Sequence, residues 1–115
     1  MQDILEKDNI TSDELMKLLE LREESEVDFV LVDVREPIEY KRGRIKGIDM
    51  LKPSSSFYEW GDEFIEEVSG KSVIFTCRTG ARSRNIQSVF RANGYTKVIN
   101  HKGGIFSYRG EIERD

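Results

Sequence analysis

The sequence predicts an α/β fold: a small, mostly parallel sheet of about five strands with helices on both faces. Three observations predict it. Two apolar runs rich in β-branched residues, V-D-F-V-L-V-D-V over 27–34 and S-V-I-F-T over 72–76, read as strands buried on both sides. Apolar residues at i, i+3 and i+4 recur between and after them. The connections are short, as in a chain that alternates strand and helix.

The elements follow in order. Ile10 ends a short first strand. I-T-S-D-E-L-M-K-L-L-E-L then opens a helix, with Thr11 as its cap and Glu14 reaching back to the cap amide. Leu15, Leu18 and Leu19 share one face of it. After the strand over 27–34, Glu36-Pro37 starts a short helix that ends near Gly43, and Gly47 marks a turn. Ile48 to Leu51 is a short strand and Pro53-Ser54-Ser55-Ser56 a loop. In W-G-D-E-F-I-E-E-V, Trp60, Phe64, Ile65 and Val68 fall at helical spacing, and Ser69-Gly70 closes that helix. From Ser83, Ile86, Val89 and Phe90 repeat the spacing, and Asn93-Gly94 supplies a stop. Val98 and Ile99 form the last strand, ahead of Gly103-Gly104.

At 115 residues, with no internal repeat or linker, residues 1–115 read as one domain. A chain of this length needs no metal or disulfide staple. Its single cysteine cannot form an internal disulfide, and no Cys/His cluster has zinc spacing. The formal charge of −4 argues against nucleic acid as a partner, although Arg78, Arg82 and Arg84 make a local basic patch. No apolar stretch approaches the ~18 residues of a membrane span. The N-terminal M-Q-D-I-L-E-K-D lacks the basic and apolar regions of a signal peptide. The expectation is a cytoplasmic protein without membrane attachment, in a compartment that suits one reduced thiol.

That thiol, Cys77, stands in F-T-C-R-T-G-A-R-S-R, between a buried strand and a helix. In open parallel sheets, ligands bind outside the carboxyl ends of the strands, where this residue falls. Gly80 gives the loop freedom to curl, so that its amides and the helix's first turn make a nest for an anion. The helix terminus and the charges of Arg78 and Arg82 favour a thiolate. A lone cysteine after an apolar strand is also an ordinary packing residue. The combination of strand end, thiol, glycine loop and paired arginines exceeds what packing requires.

Four segments together resemble the single-domain rhodanese family, the thiosulfate sulfurtransferases, along nearly the whole chain. L-V-D-V-R-E-P-I-E-Y is similar to the family's first signature and C-R-T-G-A-R-S to its active-site loop. G-R-I-K-G-I and N-H-K-G-G-I-F-S-Y fall in the right order between and after them. The resemblance implies a rhodanese-like fold and a double displacement at Cys77. The thiolate takes the outer sulfur of thiosulfate or another persulfide donor, and a thiol or cyanide acceptor removes it. The amides from Arg78 through Thr79, Gly80 and Ala81 to Arg82 would stabilise the persulfide, with Ser83 closing the loop. Arg78 and Arg82 would attract the anionic donor. Asp33 and Arg35 match the Asp-Val-Arg signature and read as support, because charged groups at the end of a buried strand need partners. No cofactor and no metal is implied.

Arg44, Lys46, His101 and Tyr108 depart from the family's usual histidine, proline, apolar residue and tryptophan. His101 reads as structural. Three alternatives share the same residues: a cysteine phosphatase or arsenate reductase, a persulfide carrier, and an interaction module. Phosphatase loops place five residues between cysteine and arginine. Here four separate Cys77 from Arg82, and the next position is Ser83.

Overall fold

The computed structural model describes residues 3–115. Among them, five strands form a parallel sheet in the order β1-β6-β5-β2-β4: β1 (Asn9–Ile10), β2 (Val30–Asp33), β4 (Met50–Leu51), β5 (Val73–Thr76) and β6 (Val98–His101). A separate antiparallel pair joins β3 (Arg44–Ile45) to β7 (Ile112–Glu113). The helices are α1 (Ser12–Glu23), α2 (Pro37–Arg42), α3 (Phe57–Val68) and α4 (Ala81–Ala92). The sheet and its two covered faces match the fold expected from the apolar runs.

Side-chain alternation along the strands divides the core. Val30, Val32, Val34, Val73, Phe75 and Cys77 share one face with Trp60, Phe64 and Val68 of α3 and Ile86 and Phe90 of α4. Ile10, Leu31, Ile74 and Ile99 point the other way, onto Leu15 and Leu18 of α1. Phe75 and Phe90 stack with centroids 5.7 Å apart, so α4 lies directly against the strand that delivers Cys77.

The capping box at α1 forms as expected: the Glu14 amide donates to Thr11 Oγ1 at 3.2 Å, and the Thr11 amide to Glu14 Oε1 at 3.0 Å. Boundaries differ where the sequence carried no local sign. The ladder of β2 starts at Val30 rather than 27, because the exposed Asp28 turns out to Lys71. Helix α4 begins at Ala81 rather than Ser83, since Gly80 at φ +98° has already turned the chain. Strand β6 continues to His101, whose partner in register is Ile10. Ile65 and Val89 flank their apolar stripes and remain partly exposed. The β3–β7 pair, two residues on each side, was not anticipated.

The register aligns Asp33 with Thr76 and Phe75 with Asn100. The loops that follow β2, β5 and β6 therefore leave the sheet at one end and meet there.

Candidate active site

Parity along β5 decides where Cys77 points. Val73 and Phe75 face α3 and α4, so Cys77, two residues on, faces the start of α4. It is 1% exposed, and the chain then curls over it through residues 78–80. The Gly80 amide donates to Cys77 Sγ at 3.1 Å, and Ser83 Oγ lies 3.4 Å from the same sulfur. Burial pushes the thiol pKa up. The Ser83 hydroxyl and the amides of Ser83, Gly80 and Thr79 outweigh it, leaving the pKa below its ordinary value. Cys77 is thus both a buried core residue and a sulfur ringed by donors.

The glycine pair after β6 holds this curl from behind. The Ile105 amide donates to the Cys77 carbonyl and the Phe106 amide to that of Arg78, each at 2.9 Å. Gly104, at φ +59°, lies so close that a Cβ there would collide with the Cys77–Arg78 peptide. Gly80 is confined on the same side: a Cβ on it would stand 3.1 Å from the Gly103 nitrogen.

The arginines divide in role. Arg82 donates to both carboxylate oxygens of Glu39 in α2, at 2.7 and 2.9 Å. Those hydrogen bonds hold the Glu39 carboxyl at a pKa of about 2 against the opposing effect of burial; the Glu36 amide and the charges of Arg82 and Arg35 add to them. Arg82 is raised in turn, chiefly by the Glu39 hydrogen bonds, with the charge of Cys77 also within reach. Arg78 is exposed and has no carboxylate partner among the described residues. Of the two arginines expected to attract an anion, Arg82 is thus already paired with a carboxylate.

Asp33 and Arg35 come together as a buried ion pair. Arg35 Nε lies 3.0 Å from each Asp33 carboxylate oxygen, and a terminal nitrogen lies 2.8 Å from Oδ2. That nitrogen also donates to the Gly43 carbonyl at 2.7 Å, which fastens the end of α2. Thr79 and Ala81 present exposed side chains, and of the two only the Thr79 amide is directed at the sulfur.

His101 is fully buried, away from the sulfur. Its ring bridges Ser12 Oγ and Thr76 Oγ1 at 2.8 Å each, and burial lowers its pKa to about 4. Arg44 reaches Asp115 at 2.8 Å and stacks on Tyr40, on the β3–β7 side. Sequence reasoning missed Glu39, Asn100 and the individual task of Gly104. Glu39 signalled only helix capping, which it also performs toward the Glu36 amide at 3.0 Å. Asn100 was hidden inside a strand.

A model of the rhodanese-like domain matches residues 12–111, which takes in every element from α1 to the end of the glycine-pair segment. The chain belongs to the rhodanese-like domain family. A rhodanese-like domain protein from Staphylococcus aureus superposes with a TM-score of 0.74 over 95% of this chain and 99% of its own, at 24% identity. A Rhodopseudomonas palustris protein described as a possible tyrosine phosphatase gives 0.75 over 92% and 84%, at 25% identity. Among curated relatives, a tRNA uridine(34) hydroxylase from Brucella anthropi is 30% identical over 88 residues. That match covers 75% of this rhodanese-like chain and 29% of the relative, so the chain spans under a third of that protein's length.

Proposed function

We propose that this rhodanese-like protein is a sulfurtransferase working by double displacement through a Cys77 persulfide. The Cys77 thiolate attacks the outer sulfur of thiosulfate, the S–S bond breaks, and sulfite leaves with the bonding pair. A thiol or cyanide acceptor then attacks the outer sulfur of the persulfide and restores the thiolate. The loop amides that face the sulfur are suited to its charge in both states. Arg78, exposed and without a carboxylate partner among the described residues, is a cation for the incoming anion, and the Asp33–Arg35 pair supports the end of β2 and of α2.

One observation carries this reading over phosphoryl transfer. Where a phosphatase loop needs its arginine, Ser83 stands 3.4 Å from the sulfur, and the guanidinium one position earlier, Arg82, is bound by Glu39. Such a pocket offers amides and a hydroxyl to one added sulfur atom, without a free fork for a tetrahedral dianion. The complete loop also supports an active domain over an interaction module. The tRNA reaction named for the curated relatives stays with them: this chain matches 29% of the first and carries a formal charge of −4, a poor balance for a polyanion.

Intact mass after exposure to thiosulfate tests the proposal. The protein should gain one sulfur, lose it on cyanide treatment, and gain none as Cys77→Ser. No sulfur uptake combined with turnover of an aryl phosphate would establish the phosphatase instead. Uptake from a protein persulfide, but not from thiosulfate, would identify a carrier.

A further inference from the structure

The Ser83 hydroxyl has one proton and two acceptors. Asn100 Oδ1 lies 2.6 Å from Ser83 Oγ, while Cys77 Sγ lies 3.4 Å away on the other side. A hydroxyl donates once, so its proton goes either to the Cys77 sulfur or, over the shorter contact, to the Asn100 oxygen, which leaves the sulfur facing the Ser83 lone pair. The amide of Asn100 is held in this sense from its far end, where Nδ2 donates to Asn9 Oδ1 at 3.2 Å. The four groups form one line from the edge strand β1 to the nucleophile. Ser83 and Asn100 are buried at 0% and 3%, so no bulk water relieves the competition between them. Asn9 is exposed and, with Asn100, borders an open groove behind Thr79, Gly80 and Ala81.

We propose that Asn100 is a positioning residue for the nucleophile, its amide deciding whether the Ser83 proton is given to the Cys77 sulfur. With its oxygen toward Ser83, the proton goes to Asn100 and the neutral thiol is favoured, its S–H pointing at Ser83 Oγ. With its nitrogen toward Ser83, Nδ2 donates to the hydroxyl and the hydroxyl donates to the thiolate or persulfide. The second arrangement needs Asn9 to turn its own amide and donate to Asn100 Oδ1. Rotation of the two amides and of the Ser83 hydroxyl therefore exchanges the two hydrogen-bond arrangements, and the Cys77 proton departs as the thiolate forms. Removing the Asn100 acceptor, or its anchor on Asn9, frees the Ser83 proton for the sulfur.

The inference rests on Cys77 as the sulfur-carrying nucleophile, but its test reads the thiol without any sulfur donor. Cys77 is the only cysteine, so thiolate absorbance or the pH dependence of alkylation reports it alone. In Asn100→Leu, which is close in shape and has no acceptor, the thiol titration should move down by roughly 0.5–1 unit. That corresponds to about three- to tenfold more thiolate below the midpoint. Asn9→Ala, at an exposed edge position, should move it the same way by less and keeps the test open if the core variant does not fold. In a Ser83→Ala background both shifts should vanish. Arg78 and the Arg82–Glu39 and Asp33–Arg35 pairs, the charged groups of this end of the sheet, are untouched by these changes. An unmoved or raised titration in the variants, or a shift that survives Ser83→Ala, overturns the proposal. Failure of the wild type to take up sulfur would instead overturn the sulfurtransferase reading, while the titrations still decide the role of Asn100.

Discussion

Arg78 and Arg82 lie four positions apart in the same loop, yet one faces solvent and the other is clasped by both oxygens of Glu39. Their substitutions should therefore separate. Arg78→Ala is expected to raise the KM for thiosulfate several-fold and leave the melting temperature unchanged, because it removes a free charge and no contact. Glu39→Ala should lower stability by about 1 kcal/mol, a value held down by the solvent that reaches the pair. Steady-state kinetics and thermal melts on the two variants check this. Equal KM effects with no loss of stability in Glu39→Ala would contradict the division. The acid limb has a definite sign: the Glu39 carboxyl is lowered to about 2, so its contribution is full above an ordinary carboxylate pKa and fades as pH falls toward 2.

At the scale of elements, the glycine-pair segment is as much a part of the loop as the loop's own residues. Gly104→Ala places a Cβ into the Cys77–Arg78 peptide and imposes a left-handed conformation on alanine. It should cost about 1–3 kcal/mol and lower the rate of sulfur uptake at least tenfold, as read by unfolding in urea and timed mass spectra. Gly94→Ala is the comparison, since its φ of +92° is also left-handed but no atom lies within 4 Å of the added Cβ. It should show strain in stability alone. The main elements were legible beforehand because their signals are local: Thr11 and Glu14 three apart, the unbroken apolar runs of β2 and β5, and Pro37 after Glu36. The cysteine's place at a strand end was legible for the same reason. What escaped depends on distance in space. The link between Glu39 and Arg82 spans 43 positions, and Asn100 meets Asn9 across 91. The β3–β7 pair is too short to leave a pattern. The start of α4 two residues early has a simpler cause, the left-handed turn at Gly80.

Across the whole molecule, His101 is the joint between otherwise separate parts. Its ring touches Ser12 at the start of α1 and Thr76 at the end of β5, and Ser12 in turn reaches Ser107 at 2.7 Å. A neutral imidazole fits such a site, one nitrogen donating and the other accepting. Burial lowers its folded-state pKa from 6.5 to about 4, so folding excludes the proton that the unfolded chain accepts. Stability is thus complete above about pH 6.5 and should fall by about 3 kcal/mol as pH drops toward 4. Urea unfolding across that range should show the loss, and a His101→Asn variant should show a flatter profile even if it is less stable throughout. An equal slope in both proteins would assign the loss to other groups.

The carbonyls of Cys77 and Arg78 are tied to the amides of Ile105 and Phe106. Since a peptide's carbonyl and N–H point in opposite directions, those ties hold the Thr79 amide turned in toward the sulfur. During synthesis, Cys77 leaves the ribosome nearly thirty residues before Phe106 does. Until that segment docks, the Cys77 and Arg78 carbonyls lack these partners and the Thr79 amide is not held toward the sulfur. The ring of donors around Cys77 is therefore completed late, when the segment after β6 docks.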